Sequence, residues 1–197
     1  MHYNLRVSVT TEDLCKLHDP NTVILNKMDL SRVLLGEEAM TKFETWANSD
    51  FILNKVKITH PARNKYHDIQ VLIEYMMLIK NPNTGFSGAE IMTFCNDTKN
   101  GAINISDIDM DAVLNYLDAS VSEKKQYLKK VHLPMVLDVA VTVLKNGMAA
   151  SVFGEKLDKF FEELPCNIEY MTTCQSGSSK AANVKKRLGI IRKAFKK

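Results

Sequence analysis

The sequence predicts an all-α fold, a single multi-helix domain spanning residues 1–197 with one vestigial strand near the start. Three observations carry that expectation. The stretch from Asp68 to Lys80 has nine apolar residues in thirteen, on nearly every face of a helix, so it belongs inside a core. Pro134 to Lys145 and Phe153 to Leu164 also space apolar residues at three- and four-residue steps. The alternation of Tyr3, Leu5, Val7 and Val9 with polar residues reads as a half-buried strand, but no partner strand follows nearby.

Taken in order, Thr10 or Thr11 caps a short helix to about His18, which Asp19-Pro20-Asn21 breaks. A helix then begins at Asn26 and is stopped or bent by Gly36. Glu37 to Phe51 continues with Met40, Phe43, Trp46, Ala47 and Phe51 at helical spacing. Asp68 is the expected N-cap of the central helix, which Pro82 and Gly85 terminate. Ser87 with Glu90 forms a capping box ahead of Gly88 to Cys95. Asp107 or Asp109 caps Met110 to Leu117, and Ser120 or Ser122 caps Glu123 to Val131. The β-branched content of Pro134 to Lys145 would also suit a strand. Proline at a first helical position, Asn146-Gly147 as the stop, and the stripe of Met135, Val139, Thr142 and Val143 favour a helix. Phe153 to Leu164 closes at Pro165, and Ile168 to Thr173 leads into Ser176-Gly177-Ser178-Ser179, giving eight or nine helices in all.

Composition bounds the function class. At 45% apolar and 25% charged residues the chain has a globular composition, and no run reaches the length of a membrane span. The start, Met1-His2-Tyr3-Asn4, lacks the features of a signal peptide, which predicts a cytoplasmic protein with no membrane partner. Cys15, Cys95, Cys166 and Cys174 are widely spaced and form no metal pattern with the five histidines, so free thiols are expected. The charge is uneven. Eight basic residues and no acidic one follow position 179, while the first 179 residues carry a net of −5.

Three constellations are candidates for chemistry. Asn96 to Asp107 has Gly101, Ile103 and Asp107 at the sixth, eighth and twelfth positions of a calcium loop. Asn96, Thr98 and Lys99 stand where such a loop needs acids, so a polar connection between helices is the better reading, and no metal or other cofactor is expected. His60, Arg63, Lys65, His67 and Asp68 precede the central helix with no nucleophile or metal set close by, and read as a helix entry with solvated basic residues. The third is the tail. Ser176 to Ser179 is a Ser/Gly turn at the start of a basic amphipathic helix, the docked C-terminal segment 176–197. Its apolar stripe is Val184, Leu188, Ile191 and Phe195. Lys180, Lys185, Lys186, Arg187, Arg192 and Lys193 are its candidate contacts to nucleic-acid phosphate. Nothing resembles a Walker A motif and no catalytic set is found, which predicts a binding protein rather than an enzyme.

Asn21 to Gly36, with Leu25-Asn26-Lys27-Met28-Asp29-Leu30-Ser31-Arg32-Val33, followed by a helix and the Asp68 to Ile79 core segment, resembles a known arrangement. It looks like the helical region after the ParB/sulfiredoxin-like core of the GmrSD-type restriction and ParB-like nuclease family. The turn Ser176 to Lys180 ahead of Val184-Lys185-Lys186-Arg187 is similar to the closing helix of phage and bacterial relatives. The family's catalytic core, with its Asp-Gly-Gln-Gln-Arg-like motif, has no counterpart here, and Tyr3 to Val9 would be the last strand of that missing core. By this resemblance the chain is a phage or mobile-element protein in the host cytoplasm. It would act as an anti-restriction or anti-CRISPR inhibitor that occupies a nucleoprotein effector. Direct DNA or RNA binding through the tail, or a subunit completing a separately encoded ParB-like core, are the alternatives.

Overall fold

In a computed structural model the described residues are 27–196, so the strand expected over Tyr3 to Val9 and the helix expected near Thr10 to His18 lie outside them. The fold is all-α. The helices are α1 (Lys27–Leu35), α2 (Glu37–Ala47), α3 (His60–Arg63), α4 (His67–Lys80) and α5 (Gly88–Lys99). They are followed by α6 (Met110–Ser120), α7 (Leu133–Lys145), α8 (Ala150–Glu163), α9 (Ile168–Thr173) and α10 (Ala181–Phe195). Short 3-10 turns at Ile105–Asp107 and Leu164–Cys166 and a π-helical turn at Phe51–Lys55 join them.

Helix α4 is the centre. All of Ile69 to Leu78 is buried, and α2, α3, α5 and α7 pack around it. Helix α7 is nearly as enclosed, with α4 on one side and α6, α8 and α10 on the others. Proline inside its first turn and Asn146 with Gly147 (φ 71°) at its end bound α7 as a helix, so its valines build helical core and not a strand. Helix α1 lies against α5, and Gly36, at φ 79°, makes the bend between α1 and α2 that an L side chain would resist.

Four local expectations change. Asp68 does not cap α4. The helix starts two residues earlier than that cap implies, behind Tyr66 in the left-handed conformation at φ 57°, and the Tyr66 ring lies 4.1 Å below the Arg32 guanidinium. Asp68 instead accepts a 3.3 Å bond from Arg63, whose other nitrogen donates to Ile52 O at 2.6 Å. That bond occupies a carbonyl of the π turn, and α2 stops at Ala47 instead of running on to Phe51. The helix expected over Glu123 to Val131 is irregular. Its backbone pairs with the end of the π turn and the residues just after it, Lys125 N to Lys55 O and Lys57 N to Leu128 O, while Lys125 and Tyr127 bond Asp158 of α8. Those partners, with Leu128 fully buried, outweigh a weakly apolar helical register. The calcium-like loop fails in its first third, because α5 continues through Lys99 and keeps Asn96, Thr98 and Lys99 helical. Its Asp107 accepts from Lys80 at 2.6 Å and from Asn104 at 2.7 Å. The capping box is present, as is the Asp109 cap on Ala112 N.

Two glycines give opposite tests. A Cβ on Gly154 of α8 would lie 2.0 Å from Ser120 O of α6, whereas one on Gly189 of α10 meets nothing within 4 Å. Gly154→Ala should destabilise by at least about 2 kcal/mol through forced separation of α6 and α8. Gly189→Ala should stabilise by up to about 1 kcal/mol through helix propensity. Urea unfolding of both variants checks the pair, and equal effects would contradict the α6–α8 approach.

Candidate functional site

Helix α10 is held by the stripe read from the sequence: Val184, Leu188, Ile191 and Phe195 are all buried, against α7, α9 and the aromatic rings of Phe153 and Phe160. Its six candidate cations separate into two groups. Arg187 is 1% exposed and its guanidinium donates to Thr173 O at 2.5 Å and Ser178 O at 2.8 Å. Arg192 forms a two-pronged pair with Asp138 of α7 at 2.7 and 2.6 Å. Neither arginine presents a free fork to solvent, a correction to the expected phosphate contacts. The reason is that α9 and α7 offer them acceptors on the packed side of the helix. Lys180, Lys185, Lys186 and Lys193 are exposed, as is Lys196. Lys186 lies 3.2 Å from Glu169, and the other four make no ion pair among the described residues.

The turn before α10 is built from the same contacts. Gly177 takes φ 75°, Asn183 Nδ2 donates back to Gly177 O at 3.0 Å, and Phe86 N donates to Ser179 O at 2.7 Å. Gly85 is required there, since a Cβ would stand 2.8 Å from Ser179 O and 2.9 Å from Ala181 N. Behind the turn is a polar cluster that sequence reading did not assemble. Gln70 and Glu74, one helical turn apart on α4, are 6% and 5% exposed. Gln70 donates to Glu74 at 2.6 Å and accepts from Lys130 at 2.6 Å. The only sequence signal was two polar residues in an otherwise apolar helix.

A second assembly lies under α9. His132 Nδ1 is 3.1 Å from the Tyr170 hydroxyl and 4.0 Å from Cys174 Sγ. This thiol and imidazole do not form an activated pair. Burial, aided by Lys129 and Arg187, lowers the His132 pKa to about 3, and burial pushes the Cys174 thiol up, so both stay neutral near pH 7. His60 is exposed, and Arg63 and Asp68 are paired with each other. Among the described residues no three His, Cys, Asp or Glu side chains are placed to hold a metal, and no helix is long and apolar enough to cross a membrane.

No protein-family model, no curated protein and no solved structure matches the chain. The resemblance to ParB-like nuclease proteins therefore rests on the residues quoted for it.

The buried imidazole sets a pH dependence. The unfolded chain takes up a proton on His132 near pH 6.5 and the folded chain only near 3, so its stabilising contribution is complete above 6.5 and declines as the pH falls. Unfolding free energy should drop by about 1.4 kcal/mol per pH unit from this group below that point. Urea titrations at pH 7.5 and 5.5 on wild type and His132→Gln check it: the variant should lose about that much of the difference.

Proposed function

We propose that the chain is a non-enzymatic binding protein whose working surface is the outer face of α10, and that its lysines meet the phosphates of a nucleoprotein. The observation that carries this reading is the division of charge on one helix. The arginines are committed to the body of the fold, while Lys180, Lys185, Lys193 and Lys196 stand exposed and unpaired among the described residues. No acidic side chain interrupts them. Lysine suits this task, because a flexible, strongly hydrated ammonium tracks a phosphate backbone without demanding one geometry.

Gly189 adds support. It lies between Lys185 and Lys193 at four-residue steps, so all three share one line of the helix, and the space above it is open. A mid-helix glycine costs about 1 kcal/mol against alanine. A surface that lets a phosphate backbone approach the helix closely is a reason to keep it. A restriction or CRISPR-type effector loaded with nucleic acid is the partner that the resemblance suggests, with the chain as its phage or mobile-element inhibitor.

The test is a salt series of binding to duplex and single-stranded DNA. Four phosphate contacts should give a log-log slope of about −3 to −4. The variant Lys185→Glu, Lys193→Glu, Lys196→Glu should abolish binding and leave the melting temperature within a degree or two, since these side chains are exposed and make no ion pair among the described residues. Gly189→Gln should weaken binding without changing the slope. Binding insensitive to salt, or unaltered by the triple reversal, would overturn the lysine-face reading. Absence of DNA binding at low salt would leave a purely protein partner.

A further inference from the structure

The arginines are spent inside the molecule. Arg32 bonds Glu44 at 3.1 Å, Arg63 bonds Asp68 and Ile52 O, Arg187 bonds Thr173 O and Ser178 O, and Arg192 grips Asp138, which accounts for every arginine among the described residues. Nor is any phenylalanine, tyrosine or tryptophan exposed among them. An arginine fork is the commonest reader of guanine in the major groove, and aromatic rings are the platforms on which the bases of a single strand stack. The described surface offers neither.

What α10 does offer is charge alone. At about 100° of rotation per residue, Ala182, Lys185, Lys186, Gly189, Lys193 and Lys196 fall within one arc of about 100°, opposite the buried Val184, Leu188 and Ile191. All six are exposed. With no Asn, Gln, Glu or Arg on that arc, adenine and cytosine have no reader, whereas an ammonium, a point charge without a plane or an acceptor, finds phosphate on every sequence. Lys185 to Lys196 covers roughly 16 Å, about half a turn of duplex. A duplex presents one charge per about 1.7 Å of its axis, so a face that binds by charge alone favours it over the sparser single strand. The first 179 residues, at a net of −5, repel a polyanion and confine the contact to this helix. On the reading that this lysine face is the working surface, we infer that its ligand is the phosphate backbone of a duplex nucleic acid, bound without regard to base sequence.

Anisotropy titrations of the full chain at one low salt concentration test it, with duplex DNA of alternating A·T, alternating G·C and mixed sequence, duplex RNA and single-stranded oligothymidine, all of one length. The duplexes should agree within about tenfold, because base readout costs ~1–3 kcal/mol per wrong pair and would spread them further. Duplex RNA belongs in that range, since lysine has no acceptor for a 2′-hydroxyl. Oligothymidine should bind more weakly than any duplex. Gly189→Tyr, which fills open space on the arc with a ring, should shift the balance toward the single strand by about fivefold or more. A spread above tenfold among the duplexes, oligothymidine binding as tightly as duplex, or a balance unmoved in Gly189→Tyr overturns the inference while leaving the lysine face standing, provided the Lys185, Lys193, Lys196 reversal abolishes binding. Binding that survives the reversal, or no binding to any of the five probes, defeats the lysine face and this inference with it.

Discussion

The need to bury α4 on every side organises the molecule. Its eight buried apolar side chains contribute roughly 1.5–3 kcal/mol each on removal from water, a sum comparable with or above the ~5–15 kcal/mol by which domains are usually stable. No single neighbour covers them, so α2, α3, α5 and α7 are drawn around the helix, and α7 is in turn enclosed by α6, α8 and α10. The arrangement has one awkward consequence. Gln70 and Glu74 go inside with the rest, and a polar pair at that depth must be met by other polar groups, here Lys130, beside a cavity that Arg187 also lines.

Much of this was legible where periodicity or a local cap decides the structure. The apolar repeats of α4, α7, α8 and α10, the Ser87–Glu90 box and the stop at Asn146-Gly147 depend on residues within one or two turns of each other. Reading failed where the deciding partner is distant in the chain. Glu123 to Val131 carries plausible caps, but its backbone is claimed by residues 55–57 and its side chains by Asp158. Asp68 has the identity of a cap and the geometry of an Arg63 acceptor. His132, Tyr170 and Cys174 meet across about forty residues, and no spacing rule joins them.

The candidate surface shows the same division within one helix. Basic residues of α10 read alike along the sequence, yet their side chains part according to chemistry. Arginine, with a planar fork and weaker hydration, serves as a buried fastener to Thr173, Ser178 and Asp138, while the lysines remain in water. Net tail charge therefore overstates what the surface offers a polyanion, and the field outside α10 is that of its lysines.

The contact of Gly85 and Phe86 with Ser179 and Ala181 brings the beginnings of α5 and α10 together. Two like-poled backbone ends meet there, each with unbonded amides and a fractional positive charge, an arrangement that repels unless a negative group sits between them. Glu90 is that group: it accepts from Gly85 N and Ser87 N, and its bond with Ser87 holds its pKa below the usual carboxylate value. One glutamate thus serves as local cap and as counter-ion to a junction between segments more than ninety residues apart, so its loss would loosen the seating of α10 as well as fray α5.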